Sequence, residues 1–146
     1  DFSKHKKINK ILDDINNDCY LLYPSENSLN LNKEEIPSKK NIVIFIIDST
    51  WSCSKKIIKS SENLKKLNML SFDANKVSEF KIKKQPKEYC LSTIESTQYI
   101  IKLLSKYKIE NINKQDLEKM TKPFEKMVEY QLKCAKKRKS IRYKTY

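Results

Sequence analysis

An unbroken apolar run at residues 42–47 constrains the fold of this chain more than any other feature of its sequence. The run holds six β-branched or aromatic residues, which is too short for a buried helix and typical of a strand buried on both faces. It ends at Asp48-Ser49-Thr50-Trp51, and an amphipathic, helical pattern continues to Leu64. Strands of this kind belong to parallel α/β sheets, in which ligands bind beyond the carboxyl ends of the strands. We therefore expect residues 48–51 to lie in a functional site.

The rest of the chain alternates between helical and strand patterns. Helical spacing of apolar residues predicts helices at residues 8–15, 92–104 and 116–135. Short apolar or alternating runs predict further strands at residues 19–23, 67–72 and 80–84, whereas residues 29–40 are polar and indicate a surface connection. Strands that alternate with helices predict an α/β fold with a mainly parallel sheet and flanking helices.

The length of 146 residues suits one domain, with a core at residues 8–135 and a basic tail at residues 136–146. The chain contains no glycine. Glycine is the usual residue where the backbone needs a positive φ, so we expect such positions to fall to Asn or Asp, or to be avoided in the loops.

The net charge of +13, from 31 basic and 18 acidic residues, is large for a chain of this size. It favours a polyanionic partner, with nucleic acid first, over the alternative of a lysine-rich surface that only keeps the protein soluble. Arg138 and Arg142 are the only arginines. Bidentate base reading by arginine is therefore disfavoured, and phosphate contact by lysine is expected.

The four cysteines, Cys19, Cys53, Cys90 and Cys134, are too far apart in sequence for a C-x-x-C zinc half-site. We predict reduced thiols, no metal in this chain, and an intracellular location, cytoplasmic or nuclear. No apolar run approaches the length of a membrane span, so no membrane partner is expected.

Three loops carry unusual side chains and follow strands or precede helices, so they are expected to converge at one edge of the sheet. Each also has a simpler explanation. Asp48 would commonly cap the next helix, Trp51 would commonly be a core residue, and Ser92 with Glu95 has the form of a capping box. None of the loops is a glycine-rich phosphate loop, which disfavours ATP or NAD chemistry. The loops are Tyr23-Pro24-Ser25-Glu26-Asn27, Asp48-Ser49-Thr50-Trp51 and residues 85–93.

Four motifs come in one order along the chain: Leu22-Tyr23-Pro24-Ser25, Asp48-Ser49-Thr50-Trp51, Gln85-Pro86 with Leu91-Ser92-Thr93-Ile94-Glu95, and the later helix at residues 124–132. Together they resemble the DTW-domain family, which is named for its Asp-x-Thr-Trp motif. The resemblance covers roughly residues 8–142. It implies a single DTW-type catalytic domain with a SPOUT-like knotted core, an element that periodicity alone does not predict because true knots are rare.

The resemblance also implies an activity, that of a tRNA-uridine aminocarboxypropyltransferase. Such an enzyme moves the 3-amino-3-carboxypropyl group of S-adenosylmethionine to N3 of a tRNA uridine, forming acp3U and 5′-methylthioadenosine. Asp48 is the expected catalytic base or uridine-orienting group. The expected cofactor-binding residues are Leu22, Pro24, Ser25, Thr50, Trp51, Gln85, Pro86, Leu91, Ser92 and Thr93. The expected RNA-binding residues are Lys136, Lys137, Arg138, Lys139 and Arg142.

One departure from the family pattern is the absence of the N-terminal cysteine cluster that its members usually carry. We expect either that this cluster lies upstream of Asp1, so that the domain lacks its N-terminal part here, or that this member has none. Two other functions stay open: S-adenosylmethionine-dependent modification of ribosomal RNA, and RNA binding without catalysis.

Overall fold

The computed structural model describes residues 1–74, 77–82 and 90–138. Within it the chain forms two compact units, Asp1–Phe72 and Asp73–Tyr146. Each unit has its own secondary structure and its own buried apolar residues.

The first unit is built on a four-stranded sheet in which all the pairings are parallel. The strands are β1 (Asn17–Leu22), β2 (Leu29–Asn30), β3 (Asn41–Phe45) and β4 (Asn68–Ser71). Their order across the sheet is β2-β4-β1-β3. The prediction of an α/β fold with a parallel sheet and flanking helices is therefore confirmed.

The strand order places β4 between β1 and β2, although β1 and β2 follow each other in the chain. Leu70 of β4 pairs with Leu22 on one side and with Leu29 on the other. The backbone N–H of Tyr23 also donates to the Leu70 carbonyl oxygen (3.0 Å), just beyond the end of β1. The short connection at residues 23–28 thus joins two strands that flank a third.

Residues 42–45 of the apolar run lie in β3 at an edge of this sheet, residues 46–47 follow the strand, and all six residues are half-buried. The prediction of a strand buried on both faces is therefore wrong. The fully buried strand residues are Leu21 of β1 and Leu70 of β4, the two inner strands. An edge strand has a neighbour on one side only, which leaves part of each side chain in contact with solvent.

Residues 29–40 are more than a polar surface connection, so that prediction is also wrong in part. Leu29 and Asn30 form β2, and Leu31 (0% exposed) and Ile36 (2%) are core residues. Isolated apolar residues among charged ones show no periodicity, so only packing against the sheet brings them into the core.

The helices of the first unit are α1 (Lys6–Leu12), α2 (Trp51–Ser60) and α3 (Glu62–Lys65). The side chain of His5 caps α1, because its Nδ1 accepts the N–H of Ile8 (3.4 Å). The helix ends before the predicted Ile15, which is 81% exposed in the turn that leads into β1. A helix-spaced apolar residue thus lies outside the helix that its spacing predicts.

The second unit contains two long helices, α4 (Thr93–Lys106) and α5 (Lys114–Arg138), which pack through an apolar face. Gln98 donates from Nε2 to the Leu117 carbonyl oxygen (2.8 Å), which adds a polar link between the two helices. The predicted strand at residues 80–84 is wrong where it is described: residues 81–82 form a turn, and residues 83–84 lie outside the described residues. The main buried apolar residues of the two helices are Ile100, Leu103, Leu104 and Val128.

Helix α4 ends at Lys106 and is followed by Lys108, which has a φ of 59° and is the one residue with positive φ in the described part of the chain. The Lys108 N–H donates to the Ser105 carbonyl oxygen (3.1 Å), and the Ile109 N–H donates to that of Leu104 (3.0 Å). This pair of bonds is the Schellman motif, whose left-handed position is usually glycine. Lysine occupies that position here, not the predicted Asn or Asp.

The long helix α5 carries many charged residues. In the described part of the chain, no helix combines the length and the apolar character that crossing a membrane requires.

Candidate functional site

Strands β1 and β3 are neighbours, and their carboxyl ends lead into two of the three loops singled out by sequence. Leu21 pairs with Phe45 near those ends. Tyr23 follows β1, and Trp51 begins α2 six residues beyond β3. Their ring centroids are 6.1 Å apart with an interplanar angle of 51°. The parallel sheet thus brings the first two loops together at one edge.

Trp51 is 38% exposed, so it is not the core residue that a lone tryptophan usually is. Tyr23 is half-buried beside it. The tilted contact fixes the two rings against each other and leaves part of the indole open to solvent. An exposed aromatic surface at this edge is suited to stacking on a planar base.

Helix α2 is capped by Thr50, whose Oγ1 accepts the N–H of Cys53 (3.4 Å). This removes the simplest explanation for Asp48, which was that it caps the helix. Asp48 is exposed and lies between the end of β3 and the cap. It therefore occupies the carboxyl-end position where α/β proteins place functional groups.

A pair of serines holds the loop at residues 48–51 on the first turn of α2. The Oγ atoms of Ser49 and Ser54 are 2.7 Å apart, and Ser54 is buried. The Ser49 hydroxyl also donates to the Thr50 carbonyl oxygen (3.2 Å). These bonds restrain the backbone on the C-terminal side of Asp48 and so limit where its carboxylate lies.

The loop after β1 is also closed by local hydrogen bonds. The Ser28 N–H and hydroxyl both donate to the Ser25 carbonyl oxygen, at 3.2 Å and 2.8 Å. The Ser25 N–H donates back to the Ser28 hydroxyl oxygen (3.3 Å). Leu22 ends β1, and Pro24 and Ser25 are exposed in this tight turn.

The third loop belongs to the second unit. Gln85 and Pro86 lie outside the described residues. Leu91 is buried, Ser92 is the N-cap of α4, and Thr93 is its first residue. The Ser92 N–H and hydroxyl donate to Glu95 Oε2 at 2.8 Å and 2.6 Å, which confirms the capping-box interpretation.

Glu95 has more partners than a capping box provides, and sequence reasoning missed them. Its carboxylate also accepts the Ser78 hydroxyl (2.7 Å) and the Glu79 N–H (2.8 Å), although the residue is only 2% exposed. Burial acts to raise the pKa of Glu95, but the hydrogen bonds from Ser92, Ser78 and Glu79 outweigh it and lower the pKa below its ordinary value. No sequence pattern links Glu95 to Ser78 and Glu79, which lie more than a dozen residues earlier.

The comparison with protein families decides what kind of domain this is. The model of the DTW domain matches residues 1–132. The chain belongs to the DTW domain family. The Asp48-Ser49-Thr50-Trp51 loop at the carboxyl end of β3 carries the residues for which the family is named.

One curated relative of this DTW domain is "tRNA-uridine aminocarboxypropyltransferase 2" of Drosophila melanogaster. The two are 36% identical over 101 residues, which is 68% of this chain and 39% of the relative. The chain thus spans about two fifths of the length of that relative. No solved structure gives a significant match.

The predicted RNA-binding residues lie beyond the residues that the DTW model matches, which end at residue 132. Helix α5 continues to Arg138, so the first residues of the predicted basic tail are helical. Lys136 is exposed on this helix. Lys139 and Arg142 lie outside the described residues.

All four cysteines are free thiols. For Cys19, burial and the nearby carboxylates of Asp18 and Asp14 raise the pKa of the thiol, which disfavours the thiolate that a metal needs. Across residues 1–74, 77–82 and 90–138, His, Cys, Asp and Glu nowhere gather in a group of three or more that would hold a metal ion.

Proposed function

We propose that this DTW domain transfers the 3-amino-3-carboxypropyl group of S-adenosylmethionine to N3 of a uridine in tRNA. The products would be acp3U and 5′-methylthioadenosine. The observation that carries this proposal is the Asp48–Trp51 motif at the carboxyl end of β3, beside Tyr23, in a chain of the DTW family. The name of the Drosophila relative supports the reaction class and the tRNA substrate.

Asp48 is the proposed catalytic residue. Uridine N3–H must lose its proton as the new C–N bond forms, and a carboxylate at the strand end would accept that proton or hold the N3–H in line. The capping role belongs to Thr50, so the Asp48 side chain is not needed to cap α2. Ser49 and Ser54 position the loop, and hence Asp48, without touching the substrate in this scheme.

The groups around Asp48 suit S-adenosylmethionine as the donor. The sulfonium of S-adenosylmethionine supplies an electrophilic carbon and a neutral thioether leaving group. The exposed indole of Trp51 would stack on adenine or on the uridine, and the turn at Pro24 and Ser25 would offer backbone groups to the adenosine or methionine part. Leu22 and Thr50 complete the proposed donor-binding residues of the first unit.

Other assignments rest on the motif resemblance. Leu91, Ser92 and Thr93 are proposed to bind the donor, as are Gln85 and Pro86. Lys136, Lys137, Arg138, Lys139 and Arg142 are proposed to contact tRNA phosphates. We also propose an intracellular location, cytoplasmic or nuclear, because tRNA modification takes place there.

A SPOUT-like knotted core is part of the same proposal. Its support is the position of β4 between β1 and β2, which a short connection joins. Consecutive strands are neighbours in roughly two-thirds of cases, so this order departs from the common arrangement, and a knot requires in addition that the chain pass through the loop. An experimentally determined backbone would test the knot. If no part of the chain passes through the loop that includes residues 23–28, the core is not knotted.

The test of the activity is a transfer assay with labelled S-adenosylmethionine and an unmodified tRNA transcript, followed by mass spectrometry of the nucleosides and of the small product. We expect acp3U together with 5′-methylthioadenosine. S-adenosylhomocysteine as the product would instead indicate methyl transfer. Preferential labelling of ribosomal RNA would identify ribosomal RNA, rather than tRNA, as the substrate. If the protein binds tRNA in a salt-sensitive way but does not bind S-adenosylmethionine, it is an RNA-binding domain without catalytic activity.

Asp48→Asn removes the base while keeping the size of the side chain, and we expect the transfer rate to fall by about 10²–10⁴-fold. Asp13→Asn is the matched control, because Asp13 is an exposed aspartate of the same unit at the end of α1. Equal rates in the two variants would remove Asp48 as the base.

A further inference from the structure

Helix α2 differs from the other long helices in the charge of its exposed side. It begins at Trp51, directly after the Asp48 loop, and its charged residues are lysines only. No acidic residue occurs at positions 49–61. Helix α5, by contrast, intersperses its lysines with Asp116 and several glutamates, and Lys119 pairs with Asp116 (2.8 Å). The charge of α2 is thus uncompensated within the helix.

The apolar and the cationic sides of α2 are cleanly separated. Ser54 and Ile58 are buried against the rest of the unit. Lys55, Lys56 and Lys59 are exposed, and none of them forms an ion pair with a described residue. Within the described residues, the three lysines therefore present ammonium groups that no carboxylate pairs with.

The spacing of these residues suits an extended strand of phosphates. Trp51, Lys55 and Lys59 are four residues apart and lie on one side of the helix. With a rise of about 1.5 Å per residue, Lys55 and Lys59 are about 6 Å apart along the axis, and the stripe is about 12 Å long. An aromatic ring followed by regularly spaced cations is the composition of surfaces that stack a base and track its backbone.

A second group of lysines lies on the N-terminal segment, which is held at the far end of α2. The segment before α1 is tied to the residues that follow α2: the Phe2 N–H donates to Ser61 Oγ (2.9 Å), and the Glu62 N–H donates to Ser3 Oγ (2.9 Å). Asn63 donates to the Phe2 carbonyl oxygen (3.0 Å). These bonds hold the N-terminal segment, which carries the exposed lysines Lys4, Lys6 and Lys7, against the residues that follow Lys59.

The two carboxylates at this junction do not cancel the charge of α2. Glu62 pairs with Lys65 (3.1 Å). The Asp1 carboxylate accepts the N–H of Ser3 (2.8 Å). Neither forms an ion pair with a lysine of α2.

We infer that the exposed side of α2, with Lys55, Lys56 and Lys59, is an RNA-binding surface that holds the phosphates of the substrate strand next to Asp48. This inference rests on the proposed function, because it takes the polyanion to be the tRNA that is modified. Lysines contact phosphates without reading bases, so the surface positions the strand and does not select its sequence. This α2 surface is separate from the proposed tRNA-contacting residues at positions 136–142.

The test compares two adjacent lysine pairs of the same unit. Lys55→Ala/Lys56→Ala removes two charges from α2. Lys39→Ala/Lys40→Ala removes two equally exposed charges directly before β3, at the amino end of the sheet, and is the matched control. Alanine favours a helix, so the α2 variant should fold, and a thermal unfolding scan of each variant checks this.

Binding of a fluorescein-labelled, unmodified tRNA transcript is measured by anisotropy without S-adenosylmethionine, over a range of salt concentrations. For the α2 variant we expect affinity to fall at least tenfold at low salt. The slope of log K against log[salt] should become shallower by about 1.5, as expected for two lost phosphate contacts. The control variant should keep the slope of the unchanged protein.

Two results would overturn the inference: equal effects of the two double variants on tRNA binding, or no salt-sensitive tRNA binding by the unchanged protein. The transfer assay separates this inference from the proposed function. If the unchanged protein makes no 5′-methylthioadenosine but the α2 variant binds tRNA more weakly, the RNA-binding surface is supported and the proposed activity is refuted. If the unchanged protein transfers the group and the α2 variant binds tRNA as tightly as the unchanged protein, the proposed activity is supported and the RNA-binding surface is refuted.

Discussion

The hydroxyl of Ser78 donates a hydrogen bond of 2.7 Å to the carboxylate of Glu95, which lies 17 residues later in the chain. The same carboxylate oxygen, Oε2, accepts from the N–H and the hydroxyl of Ser92, and Oε1 accepts the N–H of Glu79. A buried carboxylate with four donors thus joins the segment at Ser78 and Glu79 to the start of α4.

We expect Glu95→Gln to destabilise the second unit by about 2–3 kcal/mol, because an amide keeps the shape of the side chain but offers an NH₂ group to donors that need an acceptor. Urea unfolding followed by circular dichroism measures the change. Glu110→Gln, at an exposed position beyond α4, is the control and should change stability by less than about 0.5 kcal/mol. Equal midpoints for the two variants would mean that the four hydrogen bonds contribute little.

We also expect ionisation of Glu95 to contribute to the pH dependence of the free energy of unfolding. Its pKa is lower in the folded protein than the ordinary value of 4.5. The stabilising contribution is therefore complete above the pKa of the unfolded chain and is lost as the pH falls through the folded-state pKa. We expect the stability difference between the unchanged protein and Glu95→Gln to be constant near neutral pH and to shrink only below about pH 4.5. Unfolding curves from pH 3 to pH 7 measure it, and a difference that grows on acidification would contradict the assignment.

Lys108→Gly should stabilise the protein by about 0.5–1 kcal/mol, since lysine bears the steric cost of the left-handed conformation and glycine does not. The gain is smaller than the full steric cost because glycine also loses more entropy on folding. Thermal unfolding measures the change. Lys106→Gly is the control: Lys106 is the last residue of α4, and glycine there should destabilise by about 0.5–1 kcal/mol. Destabilisation by both substitutions would contradict the Schellman motif at Lys108.

Trp51 is the only tryptophan, so its fluorescence reports on the Asp48 loop directly. We expect 5′-methylthioadenosine or S-adenosylmethionine to quench or blue-shift its emission, because a stacked ligand covers the exposed part of the indole. Trp51→Ala should weaken binding of the stacked ligand by about 1–3 kcal/mol, measured by calorimetry. Phe45→Leu, at the end of β3, is the control that changes a nearby apolar residue without removing the indole. Unchanged emission at saturating ligand would remove Trp51 from the donor site.

The local elements with a strong pattern were predictable from sequence. The strand predicted from the run at residues 42–47 exists over Asn41–Phe45, and so do the helix after it and the capping-box pair Ser92 and Glu95, because spacing and capping chemistry act over a few residues. What failed depended on neighbours distant in sequence. The burial of β3, the core positions of Leu31 and Ile36, and the early end of α1 before Ile15 are decided by which elements pack together.

The same division holds for the candidate site. Sequence singled out the Asp48 loop and predicted a catalytic or uridine-orienting role for Asp48, with helix capping as the simpler explanation of that residue alone. Only the geometry of α2 assigned the capping role to Thr50. The contact of Trp51 with Tyr23 required the pairing of β1 with β3. The partners Ser78 and Glu79 of Glu95 had no sequence pattern at all.

By itself, the sequence determined the family of this chain, its parallel α/β class and the residue types at the end of β3, since these depend on motifs and local periodicity. Tertiary structure decided that β3 is an edge strand, that β4 lies between β1 and β2, that Trp51 stays partly exposed, and that the N-terminal segment is hydrogen-bonded to the residues after α2. The physical reason is that strand order and side-chain exposure come from packing between distant segments, which local patterns do not encode. The Asp48–Trp51 loop is therefore recognisable in the sequence, whereas the surface that leads to it is visible only in the fold.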